Sequence, residues 1–123
     1  AFSRREKWES GNLAVCRIRQ MIGQNYGQEL SVKHLAETVY LTPNYLSGMF
    51  KRQTGQTIGE YLTQVRVCRA KELLRDPCLK FYQISQQVGY EDHNYFAKIF
   101  KKHVGVTPSE YRARHAGKTE GSS

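Results

Sequence analysis

Apolar residues recur along most of this chain at intervals of three and four positions, and this pattern predicts helices. A first helix is expected from about Ser10 to Asn25, where Gly27 follows as a stop signal. Its apolar positions are Leu13, Cys16, Ile18, Met21 and Ile22. Ser31 is a suitable N-cap for a second, short helix that ends near Val39. No segment shows the alternation of a strand, so the predicted fold is all-α.

A third helix is predicted to begin at Pro43, with Thr42 as its N-cap and Gly55 as its stop. Its expected buried stripe consists of Tyr45, Leu46, Met49 and Phe50. A longer fourth helix is expected from about Ile58 to Leu74, before Asp76-Pro77. Its expected inner face consists of Ile58, Tyr61, Leu62, Val65, Cys68, Leu73 and Leu74. At 1.5 Å per residue, this helix would be a stiff rod of roughly 25 Å.

The segment from Asn44 to Tyr61 returns fifty positions later, with eight identities in eighteen aligned positions. Upstream, the match continues with a slip of one residue, because Leu35-Ala36 aligns with Ile84-Ser85. The second copy therefore predicts three more helices, of which the middle one is capped by Asp92. Their bounds are about Tyr82–Val88, His93–His103 and Pro108–His115. The middle helix of this copy is expected to bury Tyr95, Phe96, Ile99 and Phe100.

Two helix-turn-helix subdomains joined by the long fourth helix, about seven helices in all, are therefore the predicted architecture. The expected ranges are a linker remnant at 1–9, the first subdomain at 10–57, the linker helix at 58–75, the second subdomain at 76–116 and a disordered tail at 117–123. The first residue is Ala1 and not Met, which favours a piece excised from a longer protein.

Basic residues outnumber acidic residues by 19 to 11, which gives a net charge of +8 and a pI of about 9.6. Residues 1–61 carry 8 basic and 5 acidic side chains, and residues 62–123 carry 11 and 6, so both halves are basic. Such a domain favours an anionic partner, nucleic acid first, although a charged surface also serves solubility alone. Three cysteines without a CxxC pair favour reduced thiols in a cytosolic protein. We predict all three to be buried: Cys16, Cys68 and Cys78.

The third and sixth helices leave polar residues outside their apolar stripes, and these are the candidate chemistry. Both helices carry small or amide side chains early and cations late, an order that suits entry into a major groove by the N-terminal end. Cations near the rim would meet phosphates, although they would also complement the helix dipole without any ligand. The predicted phosphate-binding residues are Thr42, Lys51, Arg52, Asp92, Lys101 and Lys102.

Three segments carry a resemblance to a known family: LAETVYLTPNYLSGMFKRQTGQTIGEYL, RVCRAKELL and ISQQVGYEDHNYFAKIFKKHVGVTPSEYR. From about Leu13 to Arg114 the chain resembles the DNA-binding domain of AraC/XylS-type bacterial transcription regulators. The resemblance implies two recognition helices, each in a major groove. The base-reading residues that it implies are Asn44, Ser47, Gly48, His93, Asn94, Ala97 and Lys98. Gly48 departs from the family pattern, because family members often carry Arg at that position.

The segment LTPNYLSGMFK resembles the output domains of two-component response regulators within this family. If that holds, an N-terminal receiver domain precedes this piece; otherwise a ligand-binding or dimerising domain does. The expected partner is double-stranded DNA at a non-palindromic site, with two targets about 10 bp apart on one face. RNA polymerase is a further candidate partner. We expect a monomeric fragment of a bacterial cytoplasmic, nucleoid-associated activator, a full-length dimer through the missing domain, and no membrane, cofactor or metal.

Two other classes of function remain as alternatives. The motifs HExxH, GxGxxG and GxSxG are absent and the histidines are scattered, so an enzyme is not expected. DNA-repair methyltransferases that contain a domain of this kind use a methyl-accepting cysteine, and predicted burial of the cysteines disfavours that role. A helical protein-interaction module would ignore DNA and tolerate high salt.

Overall fold

The computed structural model describes the backbone of residues 2–122 and the side chains of residues 13–115. The described backbone forms seven helices and no strand, which confirms the predicted all-α fold. The helices are α1 (Phe2–Asn25), α2 (Val32–Thr38), α3 (Pro43–Thr54), α4 (Ile58–Leu74), α5 (Phe81–Gln87), α6 (His93–Val104) and α7 (Pro108–Ser122). Within residues 2–122, none of these helices is both long enough and apolar enough to cross a membrane.

Both ends of the chain are more helical than the sequence pattern predicts. Helix α1 begins at Phe2 and not near Ser10, and α7 continues through Ser122, where a disordered tail was predicted. Apolar periodicity cannot locate such ends, because an established helix gains one hydrogen bond for each residue added, whatever its hydropathy. The side chains of the predicted linker remnant and tail lie outside the described residues, and the domain ranges remain predictions.

The chain divides into two compact units, Ala1–Thr63 and Gln64–Ser123, and the division falls inside α4. In the first unit α3 packs against α1 and α2, and in the second α6 packs against α5 and α7. The first core contains Val15, Ile18, Ile22, Leu35, Ala36, Leu46, Met49, Phe50 and Ile58. The second core contains Val67, Ala70, Leu74, Ile84, Ser85, Val88, Phe96, Phe100 and Tyr111.

Identical contacts hold the end of α3 to α4 and the end of α6 to α7. The Phe50 and Tyr61 rings meet edge to face at 5.8 Å, and the Phe100 and Tyr111 rings do so at 5.6 Å. Reciprocal hydrogen bonds also close a capping box at the start of α4 and of α7. Thr57 and Glu60 form the first, at 2.8 and 3.0 Å, and Thr107 and Glu110 form the second, at 3.0 and 3.1 Å.

The one-residue slip between the two copies lies in the turn that precedes each longer helix. Leu41 N–H donates to the Ala36 carbonyl at 3.0 Å, and Tyr90 N–H donates to the Ser85 carbonyl at 2.9 Å. Residues 39–42 join α2 to α3, whereas residues 88–92 join α5 to α6, so the second connection is one residue longer. The left-handed position of this turn is Tyr40 in the first copy (φ 59°) and Gly89 in the second (φ 98°).

Several predicted core positions are wrong. Leu13 is 68% exposed, and the three cysteines are exposed, with Cys78 in the turn after α4 and not in a helix. In α4 the buried residues beyond Ile58 and Leu74 are Val67 and Ala70, which the predicted inner face omitted. A helical stripe predicts which residues share a face, but its edges depend on which neighbours cover them.

Candidate nucleic-acid interface

Helix α3 is fixed at both ends by local signals and along one side by the first core. The Thr42 hydroxyl accepts from Tyr45 N–H at 3.2 Å, and Pro43 occupies the first turn. Gly55, at φ 82°, ends the helix and donates to the Lys51 carbonyl at 2.9 Å. This confirms the predicted bounds of the helix and leaves its opposite side exposed.

Helix α6 is built in the same way in the second unit. Asp92 Oδ1 accepts from Asn94 N–H at 2.9 Å and from Tyr95 N–H at 3.4 Å. Gly105, at φ 96°, donates to the Lys101 carbonyl at 2.8 Å. Both helices have twelve residues, begin with a side-chain cap and end at a left-handed glycine. The repeat in the sequence therefore corresponds to two helices of equal length with the same kinds of cap.

The residues predicted to read bases lie on the outer sides of these two helices. The exposed ones are Asn44, Ser47, His93, Asn94 and Lys98. Gly48 and Ala97 are partly exposed. Each set shares one face of its own helix, with the N-cap at one end and the basic last turn at the other. Their exposure makes them accessible to a ligand, while their role in reading bases remains a prediction.

The predicted phosphate contacts fall into two kinds. Four exposed cations lie in the last turns: Lys51, Arg52, Lys101 and Lys102. The other two residues, Thr42 and Asp92, use their side chains as helix caps. The Asp92 carboxylate would repel a phosphate, so a phosphate contact at this residue would have to use backbone N–H groups at the helix N-terminus.

Among residues 13–115, Lys51 is the one of these four cations that has a carboxylate oxygen within 4.0 Å. Its Nζ lies 3.8 Å from Oε1 of Glu60. The Thr57 backbone N–H and hydroxyl hold the pKa of Glu60 below its ordinary value, and the Lys51 charge lowers it further. The Thr107 backbone N–H and hydroxyl likewise lower the pKa of Glu110, with smaller effects from Lys101 and Arg114. Both carboxylates are therefore charged at neutral pH, and Glu60 offsets part of the charge of Lys51.

Comparison with known proteins gives this arrangement a family. A family model described as a helix-turn-helix domain matches residues 35–114, well over half of the chain. The solved C-terminal domain of AraT, a response regulator from Geobacillus stearothermophilus, is 37% identical with a TM-score of 0.79. That match covers 82% of this chain and 84% of the AraT domain. The chain belongs to the AraC/XylS-type helix-turn-helix family of transcription regulators.

Two relatives illustrate the AraC/XylS-type match. The chain is 36% identical over 98 residues to YijO of Escherichia coli K12, described as an uncharacterized HTH-type transcriptional regulator; the match covers 80% of this chain and 35% of YijO. It is 35% identical over 91 residues to the HTH-type transcriptional activator RhaR of Cronobacter sakazakii, covering 74% of this chain and 32% of RhaR. The chain thus spans about a third of the length of these relatives, and the predicted resemblance is confirmed.

The AraC/XylS-type domain also exposes residues that the sequence pattern assigned to the core. Tyr45 is 56% exposed and Tyr95 is 54% exposed, each beside the asparagine of its helix. Both were predicted to be buried, because they begin the apolar stripe. The Tyr95 ring meets the Tyr90 ring edge to face at 5.9 Å, and this contact leaves about half of the residue exposed. Recurrence in both copies does not indicate exposure, because Phe50 and Phe100 also recur and are buried.

The exposed cysteines remove the burial argument against a methyl-accepting role. Cys16 lies on α1, Cys68 on α4 and Cys78 in the turn after α4. The match to AraC/XylS-type regulators does not favour that alternative. Within residues 13–115, no three His, Cys, Asp or Glu side chains come close enough together to hold a metal ion.

Proposed function

We propose that this chain binds double-stranded DNA sequence-specifically and regulates transcription, with the outer faces of α3 and α6 each entering a major groove. The observation that carries the proposal is that two equally built helices present the same order of side chains. Amide and small residues lie near the capped N-terminal end, and cations lie in the last turn. An N-terminal end in the groove would reach base edges, while cations one or two turns later would reach phosphates.

The side-chain chemistry of four reading residues matches particular base edges in this proposal. Asn44 and Asn94 can each bond adenine N6 and N7 together, and Lys98 can reach guanine O6 and N7. The Ala97 methyl group can contact the methyl group of thymine. Because α3 and α6 differ at most of these positions, the two half-sites differ in sequence and the complete site is non-palindromic.

Electrostatic attraction would supply the first, non-specific stage of binding. The net charge of +8 attracts the phosphate backbone, and each neutralised phosphate releases condensed counterions. The affinity should therefore fall steeply as salt rises. Likeness to the activator RhaR and to the C-terminal domain of the response regulator AraT supports activation of transcription in a two-component system. Bacterial DNA as the partner implies a cytoplasmic, nucleoid-associated location, and the proposal assigns no catalytic step to the chain.

Fluorescence anisotropy on a selected duplex and a scrambled duplex tests these roles. Asn94→Ala should weaken binding to the preferred duplex by about 1–3 kcal/mol and relax preference at one base pair. Lys101→Ala should weaken both duplexes similarly and flatten the salt slope by about one. Arg17→Ala is the matched control, because it removes an exposed cation on α1 and should have a smaller effect.

Two outcomes contradict the proposal. If Asn94→Ala acts equally on both duplexes, its role as a base reader is wrong. If the wild-type chain ignores both duplexes at low salt, the protein-interaction alternative replaces DNA binding.

A further inference from the structure

Gly48 leaves a gap in the outer face of α3. It lies between the N-terminal readers and the basic last turn, and it is partly exposed. At the offset of fifty, the corresponding position in α6 is Lys98, a cation placed to reach a base. The first recognition helix therefore has no side chain where the second has a long basic one.

Backbone geometry does not require a glycine at this position. Gly48 is an interior residue of α3 and is not among the glycines with positive φ, which are Gly55, Gly89 and Gly105. An interior helical glycine costs about 1 kcal/mol relative to alanine. The helix itself therefore gives no reason for a glycine at residue 48.

The guanidinium of Arg52 occupies the space over Gly48. A Cβ at Gly48 would lie 3.2 Å from Arg52 Nη1, which is closer than ordinary van der Waals contact. Side chains on a helix lean toward its N-terminus and cover the preceding turn, and one turn is 5.4 Å long. Arg52 thus brings its charged group from the last turn of α3 to the level of residue 48. Residue 48 has no side chain, and this leaves room for the guanidinium.

Arg52 is also available to a ligand. It is exposed, and its side chain makes no hydrogen bond or ion pair among residues 13–115. Its neighbour Lys51 has Glu60 at 3.8 Å. The five N–H donors of a guanidinium form a rigid fork, which suits bidentate bonding to the O6 and N7 atoms of guanine.

We propose that Gly48 and Arg52 act as one reading element, in which Arg52 contacts a guanine edge from the position that Gly48 leaves open. The inference rests on the proposed DNA binding and changes the role of Arg52 from phosphate contact to base reading. The specificity of α3 then comes from a residue one turn later than the reader of α6. Gly48 is the positioning residue of the pair, and Arg52 is the contacting residue.

The first experiment compares Arg52→Ala with Lys102→Ala, the corresponding position in α6. Binding is measured by anisotropy on the selected duplex and on duplexes that each carry one substituted base pair. Arg52→Ala should abolish the preference at one G·C pair, a loss of about 5- to 150-fold on the intact site. Lys102→Ala should weaken all duplexes by one common factor. Arg52→Lys should keep the salt slope and lose part of the preference, because an ammonium can reach the guanine edge but lacks the rigid fork of the guanidinium.

The second experiment tests the pairing with Gly48. Gly48→Leu should fill the space over residue 48, displace the guanidinium and reduce preference at the same G·C pair. Gly48→Ala should have a smaller effect, since a shift of a few tenths of an ångström relieves the contact. In a double-mutant cycle, Gly48→Leu should cause no further loss of that preference when Arg52 is already Ala. Both helix-favouring changes should raise the melting temperature, which shows that the variants fold.

Separate results overturn the inference and the function on which it rests. A uniform loss on all duplexes for Arg52→Ala, with a flatter salt slope, makes Arg52 a phosphate contact and overturns the inference. Additive effects of Gly48→Leu and Arg52→Ala on preference at the same G·C pair also overturn it. If the wild-type chain shows no preference among any duplexes, sequence-specific binding itself fails. If Asn94→Ala changes one base preference while Arg52→Ala acts uniformly, only this inference fails.

Discussion

Arg112 on α7 donates its Nε–H to the carbonyl oxygen of Leu74, the last residue of α4, at 3.0 Å. Its Nη2 also donates to the carbonyls of Asp76 at 3.0 Å and Leu79 at 2.6 Å. The same guanidinium lies 4.7 Å from the centre of the Phe81 ring. One side chain therefore bonds to the end of α4 and to the turn that leads to α5, and in that turn the Asp76 carbonyl also accepts from Leu79 N–H at 3.2 Å.

Replacing Arg112 should destabilise the second unit. Hydrogen bonds that involve a charged group contribute about 1.5–3 kcal/mol each, and the carbonyls here are partly solvated, so we expect Arg112→Ala to lower the unfolding free energy by about 2–4 kcal/mol. Urea unfolding followed by circular dichroism measures this. Arg114→Ala on the same helix is exposed and should change stability by less than about 0.5 kcal/mol. Equal effects of the two changes would show that the carbonyl contacts do not matter.

The two capping boxes should make stability depend on acid pH. In the folded chain the pKa values of Glu60 and Glu110 lie below their ordinary value of 4.5. Since the folded pKa is depressed, the stabilisation is fully present above 4.5 and is lost as pH falls through the folded pKa. Glu110→Gln should keep the box geometry but reduce this pH dependence, because an amide oxygen accepts the same bond without titrating. Thermal unfolding between neutral and acid pH, with NMR titration of both carboxyls, checks the direction; pKa values above 4.5 contradict it.

Tyr40 is a strained position that the second copy avoids. Its φ of 59° is left-handed, and the matching turn residue in the second unit is Gly89. Left-handed backbone costs an L-residue about 1–2 kcal/mol, part of which is offset by the greater unfolded entropy of glycine. Tyr40→Gly should therefore raise the unfolding free energy by up to about 1 kcal/mol, measured by urea unfolding. The reciprocal Gly89→Ala should lower it. A destabilised Tyr40→Gly variant would mean that the exposed ring stabilises the turn.

All three thiols should react in the folded chain. Cys16, Cys68 and Cys78 are exposed, so a thiol-specific disulfide reagent should label three equivalents without denaturant. Each single Cys→Ser variant should remove one equivalent, which assigns the signal. Fewer than three equivalents before unfolding would support the burial that the sequence pattern predicted.

Sequence reasoning predicted the elements whose ends carry local chemistry. Thr42, Asp92 and the left-handed glycines placed α3 and α6 closely, because caps act within a few residues. The predicted burial of Tyr45 was wrong, because burial depends on whether a residue far away in the sequence covers the ring. The sequence pattern also did not predict that the Arg52 guanidinium lies over residue 48. It follows from side-chain direction on a formed helix and from the empty space at residue 48.

The outer-face assignments were predicted only as far as residue type and spacing allow. Asn44 and Asn94 are exposed, as a base-reading role requires. The predicted phosphate contacts are exposed as well, so exposure does not distinguish the two roles. Whether a cation contacts a base or only a phosphate depends on where its side chain extends and on whether a nearby carboxylate neutralises it. The order of residues could not show that Glu60 lies beside Lys51. It also could not show that the Arg52 side chain has no partner among residues 13–115.

The edge-to-face ring pairs Phe50–Tyr61 and Phe100–Tyr111, together with the exposed capping boxes, connect α3 to α4 and α6 to α7. None of these residues is among those proposed to touch a base. In the proposed mode of binding, mutations on one outer face would therefore change the preference for half of an operator and leave the supporting contacts and the other half unchanged. A regulator built this way can acquire new target promoters in small steps, each tolerated by a fold that does not have to change.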